Sequence, residues 1–209
     1  MVQGEQQNKV IGIIDYGMGN LRSVYNAFRS LDANVEIIST PEQFNTVSHI
    51  VLPGVGSFAK AMENLEERNL IEPIISFVKS GKPMLGICLG MQLMASRGFE
   101  PYEKPGLGLI EGDVIKMNFD GVRIPHVGWN ALELTTDHLL FQGIRKQVDF
   151  YFVHSYFFDV KNEQDVLAYS EYGSRFPSVV YKGNVTGMQF HPEKSQKHGL
   201  RILNNFVSS

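Results

Sequence analysis

The sequence predicts an α/β fold: a central, mostly parallel sheet flanked by helices, with an antiparallel or mixed section in the C-terminal half. Three observations carry that prediction. Short apolar runs alternate with amphipathic stretches from Lys9 to about Leu93, as successive β-α units do. After about Gly106 the helical stretches give way to strands joined by tight turns. No repeat, low-complexity tract or linker divides the chain, so residues 1–209 read as one domain, with residues 1–8 frayed.

Taken in order, Lys9–Asp15, Asn34–Ser39, His49–Pro53 and Pro83–Ile87 have the length and apolar content of buried strands. Between the first two, Leu21, Val24, Tyr25, Phe28 and Leu31 recur at helical spacing, and Asn20 stands where an N-cap belongs. Ser57 to Ser80 has room for one or two helices, with Pro73 in a first turn or at a break. Asp120-Gly121 is a hairpin signal, and Lys182-Gly183-Asn184 is another, between Ser178–Tyr181 and Val185–Phe190. Phe150–Phe158 reads as one aromatic strand, and Gln196–Phe206 as a closing helix.

The chain has 19 Lys+Arg against 22 Asp+Glu, a net charge of −3, and its basic residues are scattered. Neither a nucleic-acid nor an anionic-membrane partner is expected from such a surface. The first apolar run, Val10–Ile14, is too short for an export signal or a span, which predicts a cytoplasmic protein. Cys88 is the single cysteine, so no intrachain disulfide forms and a multi-cysteine metal site is excluded; neither metal nor cofactor is expected.

Cys88 sits in Gly86-Ile87-Cys88-Leu89-Gly90, where a predicted strand turns into a helix. This is the thiol form of a nucleophile elbow. The turn is sharp, so the residues two away on each side must be small for strand and helix to pass. The geometry presents the sulfur at a helix N-terminus and places the Leu89 N–H beside it, ready to donate to a developing oxyanion. A buried structural thiol is the bland alternative. Against it stands a second motif: the strand Val185–Phe190 ends in His191-Pro192-Glu193. A thiol needs a base, and the base needs a carboxylate to fix its tautomer. His191 and Glu193 supply both. His49, His126, His138 and His198 read as ordinary surface residues; His154 is left open.

With the elbow and His-Pro-Glu together, the chain resembles the class I, triad-type glutamine amidotransferases over essentially its whole length, which implies a flavodoxin-like sheet. More narrowly it is similar to the glutaminase subunits of imidazole glycerol phosphate synthase. The residues that carry this are Ile14–Leu21, Leu52–Phe58, Pro125–Asn130 and Phe152–Tyr156. The resemblance implies Cys88 as nucleophile, His191 as acid and base, and Glu193 as its orienter. It implies an oxyanion hole from the Leu89 N–H and the Gly54-Val55 segment, and L-glutamine held by Gly56, Gln92, Glu100, His154, Ser155 and Tyr156. Asn20, Tyr151 and Lys194 match positions near a partner interface and ammonia exit.

The activity so implied is hydrolysis of glutamine to glutamate and ammonia, with ammonia passed to a separate synthase or cyclase subunit as a heterodimer. For the narrower resemblance that subunit is a (β/α)8 barrel of histidine biosynthesis. A paralogous subunit feeding a sugar-aminating enzyme is the alternative within the class. A cysteine peptidase or chaperone-like relative is the alternative outside it.

Overall fold

A computed structural model describes residues 9–145 and 147–208, so the predicted fraying of residues 1–8 lies outside the described residues. The first half is built as the apolar periodicity requires. It runs β1 (Val10–Ile14), α1 (Leu21–Arg29), β2 (Asn34–Ile38), β3 (His49–Gly54), α2 (Phe58–Glu67), α3 (Ile71–Lys79) and β4 (Met84–Cys88). Asn20 caps α1, its side chain accepting the Ser23 N–H at 3.4 Å, and Pro73 falls in the first turn of α3. Every residue of β3 and β4 is buried, as expected of central strands covered on both faces.

The second half opens with one helical turn, α4 (Leu89–Gln92), followed by the short strands β5 (Arg97–Gly98) and β6 (Lys104–Pro105). Next come β7 (Gly112–Lys116), β8 (His126–Ala131), β9 (Glu133–Leu134), β10 (Asp149–His154) and β11 (Tyr156–Val160). The chain closes with β12 (Val166–Glu171), β13 (Arg175–Lys182), β14 (Val185–Met188) and α5 (Gln196–Ser208).

Eight strands form the main sheet in the order β2-β1-β3-β4-β14-β13-β12-β9. Pairings from β2 through β4 to β14 are parallel, and those from β14 outward are antiparallel. The predicted mostly parallel sheet with an antiparallel section is therefore the observed one. Alternate residues feed two cores: Ile13, Val51 and Leu85 face α1 and α5, while Ile14, Leu52 and Met84 face α2 and α3. No helix among the described residues is long and apolar enough to cross a membrane.

Two local readings are corrected. Asp120-Gly121 does turn the chain, but β7 and β8 on its two sides do not pair: β7 joins β11 and β8 joins β10. The aromatic run Phe150–Phe158 is two strands, not one, because it breaks at Ser155 as the chain leaves one small sheet for another. The Gly183-Asn184 hairpin forms as predicted, with Lys182 opposite Val185.

Candidate active site

Cys88 ends β4 and Leu89 opens α4. A Cβ on Gly86 would stand 2.5 Å from the Gly90 carbonyl oxygen, and one on Gly90 only 1.7 Å from that of Leu52. Strand and helix can cross this closely only with hydrogen at both positions. The cost is concentrated at Cys88, which takes φ 54° and ψ −109°; strain of this kind amounts to about 1–3 kcal/mol and persists where the surroundings over-determine it. Leu89 belongs to the first turn, where backbone N–H groups have no partner within the helix.

β14 lies parallel to β4, Met188 beside Ile87, so both strands deliver their C-terminal ends to one place. That topology brings His191 to Cys88. The His191 Nδ1–H donates to Glu193 Oε1 at 2.9 Å, and the two side chains are only 2% and 1% exposed. Nε2 is buried with no well-aligned hydrogen-bond partner among the described residues, although it is close enough to the Cys88 sulfur to interact with it electrostatically. Such contacts tighten when substrate enters. Burial alone pushes the His191 imidazolium down. The interactions with Cys88 and Glu193 together outweigh burial and raise it to about 10. The ring's backbone is clamped as well: its N–H donates to the Tyr151 carbonyl (2.9 Å), and Ser195 Oγ donates to its carbonyl (2.7 Å).

A cavity of about 260 Å³ opens over the sulfur. Its walls include Val55, Gly56, Cys88, Leu89, Gln92, Glu100, His154, Ser155, Tyr156 and His191. Gly54 lies behind this wall, beside Cys88 in the β3–β4 ladder. Glu100 is anchored at the start of α2: its carboxylate accepts the Phe58 N–H at 3.3 Å and its carbonyl the Ala59 N–H at 2.9 Å. Burial raises its pKa, and the Phe58 bond opposes that rise. Asn20, Tyr151 and Lys194 do not line the cavity. Tyr151 and Lys194 stand together outside, the Lys194 ammonium 5.8 Å from the Tyr151 ring and Trp129 at 5.9 Å on another side. A larger cleft of about 470 Å³, between Leu132–Asp137 and Ile144–Phe150, contains neither cysteine nor histidine.

Three residues at the site, Gln189, His126 and Tyr16, have a place there that the sequence reading did not give them. Gln189 Nε2 donates to Cys88 Sγ at 3.7 Å, and its carbonyl accepts from Gln92 Nε2 at 3.0 Å. Its spacing of two from His191 on an extended segment is the signal that could have found it. His126, predicted at the surface, is 2% exposed and lies 3.0 Å from His154; His49 is likewise buried, at 3%. Tyr16 is fully buried, and its hydroxyl has no hydrogen-bond partner among the described residues. A Cβ on Gly54 would fall 2.5 Å from that hydroxyl. Burial pushes the phenol well above its ordinary range, and the charge of Cys88 adds to the effect. An orphaned buried hydroxyl costs about 1–3 kcal/mol. Tyr16→Phe is therefore expected to raise the urea midpoint, and a lower midpoint would contradict this account of the hydroxyl.

Comparison with known proteins agrees with this geometry. The family described as glutamine amidotransferase class-I matches residues 12–209. The imidazole glycerol phosphate synthase subunit HisH of Desulfitobacterium hafniense is 49% identical over 198 residues, covering 94% of this chain and 93% of that protein. HisH of Sulfurimonas denitrificans is 45% identical over 202 residues, covering 95% and 97%. Among solved structures, one described as a glutamine amidotransferase superposes with TM-score 0.75 at 22% identity, covering 95% of this chain and 97% of that one. PurLQS from Thermotoga maritima also gives 0.75, at 18% identity and with 96% and 98% covered. A match of this quality over nearly the whole length, together with a thiol and an imidazole at one strand-end cavity and a carboxylate bonded to that imidazole, has one reading: the chain belongs to the class-I glutamine amidotransferases, in the HisH family.

Proposed function

We propose that the chain hydrolyses L-glutamine to glutamate and ammonia and passes the ammonia to a synthase subunit that makes imidazole glycerol phosphate in histidine biosynthesis. The observation that carries the reading is the meeting of Cys88 and His191 at a cavity of about 260 Å³, with Glu193 bonded to the Nδ1 of that His191 ring. In the proposed reaction the Cys88 sulfur attacks the side-chain carboxamide carbon. The Leu89 N–H and an N–H of the Gly54-Val55-Gly56 segment hold the oxyanion. His191 gives its proton to the departing nitrogen, which leaves as ammonia. The thioester then meets a water whose proton returns to His191, and glutamate departs. Glu193 keeps the His191 ring in the tautomer that faces sulfur. Gln92, Glu100 and the 154–156 segment hold the substrate; the Glu100 carboxylate, held by the Phe58 N–H, faces the cavity to meet an ammonium group.

The partner is a (β/α)8-barrel cyclase, seated over the exposed Val127 and Trp129 of β8, with Trp129 against Tyr151 and Tyr151 near Lys194, and over Val55 at the cavity wall; the three apolar side chains expose 54%, 48% and 44% of their surface. Exposed apolar side chains gathered round a site mouth are what a protein partner covers. The complex is cytoplasmic, where the lone thiol stays reduced. The test compares glutamate release by the isolated chain with release in the presence of the cyclase and its ligand. An increase of about 100-fold or more is expected if docking completes the oxyanion hole; equal rates would contradict partner control.

A further inference from the structure

His126 and His154 touch in the interior, and every hydrogen bond around them has a determinable direction. His154 Nδ1 lies 2.9 Å from the Tyr156 carbonyl oxygen. A carbonyl only accepts, so Nδ1 carries the hydrogen and Nε2 of the neutral ring is bare. That bare nitrogen is 3.0 Å from His126 Nδ1, which must then be the donor. His126 Nε2 is bare in turn and faces the Asn130 amide nitrogen at 3.5 Å. The Asn130 amide is oriented independently, because the same nitrogen donates to the Glu171 carbonyl at 2.8 Å. The chain of donors runs Asn130, His126, His154, Tyr156.

Neutral rings suit this wiring. Burial holds His126 down at about 4; His154 is lowered to about 3 by burial first, with its Tyr156 bond opposing and the neighbouring imidazoles adding. Packing fixes the plane of His126, whose ring stacks on Tyr172 at 4.0 Å and on Phe152 at 5.0 Å.

The chain ends at the reacting centre. The Tyr156 carbonyl accepts a second bond, from Gln92 Nε2 at 2.8 Å, so both of its lone pairs are engaged. The same Gln92 nitrogen donates to Gln189, whose own amide donates to the Cys88 sulfur. Turning His154 to its other tautomer would set a bare Nδ1 against the carbonyl and release the wall on which Gln92 is aligned.

We propose that His126 is a positioning residue for glutamine: by donating to His154 it selects that ring's tautomer, which fixes the Tyr156 carbonyl and, through it, Gln92 and Gln189. This rests on reading the cavity as a glutamine site. It concerns the inward face of β8, whose outward Val127 and Trp129 belong to the proposed partner surface.

Two measurements decide it. Imidazole nitrogen NMR of the full wild-type chain is expected to show His126 and His154 as neutral Nδ1–H tautomers; an Nε2–H tautomer or an imidazolium at His154 near neutral pH overturns the proposal. Steady-state glutaminase kinetics with the cyclase present are expected to show His126→Phe, which keeps the stacking surface, raising the glutamine KM about tenfold with kcat within about threefold. His126→Asn, which returns an amide donor near Nδ1, is expected to recover a large part of that loss. An unchanged KM in a folded His126→Phe enzyme overturns the proposal while leaving the glutaminase reading intact. If His126→Phe does not fold, the wild-type tautomers decide. Absence of glutamine hydrolysis by the wild-type complex would count against the glutamine site itself and remove the proposal with it.

Discussion

Cys88→Ala is expected to lower glutamine hydrolysis by at least about 10⁴-fold in the presence of the synthase partner, with the fold retained. The size follows from what remains. The proposed oxyanion donors and binding walls survive the substitution, but the atom proposed to form the covalent bond is gone, and residues that act as a unit lose most of their effect together. No other thiol is present to substitute, since Cys88 is the sole cysteine. The measurement is glutamate release over time, paired with a denaturation curve to establish folding. Residual activity within about 100-fold of wild type would mean that the sulfur is a bystander.

Gly90→Ala is expected to destabilise the chain by more than about 4 kcal/mol, because a Cβ there would lie 1.7 Å from the Leu52 carbonyl oxygen. The obstacle is backbone in a fully buried central strand, and no side-chain rotation relieves it. Gly81 is the control. It takes φ +84°, and a Cβ there would meet nothing within 4 Å, so Gly81→Ala carries only the left-handed penalty of about 1–2 kcal/mol. Soluble yield and urea midpoint should separate the two variants widely. Equal losses would show that close crossing at the elbow is not what requires glycine.

The parallel half of the fold was legible because its signals are local. Buried central strands are apolar throughout, and α1 carries its own cap and an apolar stripe. Legibility fell where pairing is decided by distant partners. Nothing within Phe150–Phe158 announces that its two halves join β8 and β7, and Asp120-Gly121 has the chemistry of a hairpin turn without a neighbour to pair across it.

The candidate triad could be read for a different reason: a thiol elbow demands glycines at fixed offsets, and His-Pro-Glu is compact. His126 could not. β8 turns Val127 and Trp129 outward and His126 inward, the reverse of ordinary amphipathic patterning, so a polar ring that looks superficial is the buried one. The Tyr16 hydroxyl lies against Gly54 and the Gln189 amide donates to Cys88, both far away in sequence, and spacing alone does not reveal such contacts.

The most direct test of the account is to expose the chain to an electrophile that mimics glutamine and locate the adduct by mass spectrometry. A single adduct on the Cys88 sulfur, slowed by added glutamine and lost in His191→Ala, is the expected result. Modification at another residue, or labelling of Cys88 that glutamine does not slow, would contradict a covalent glutaminase centred on that sulfur.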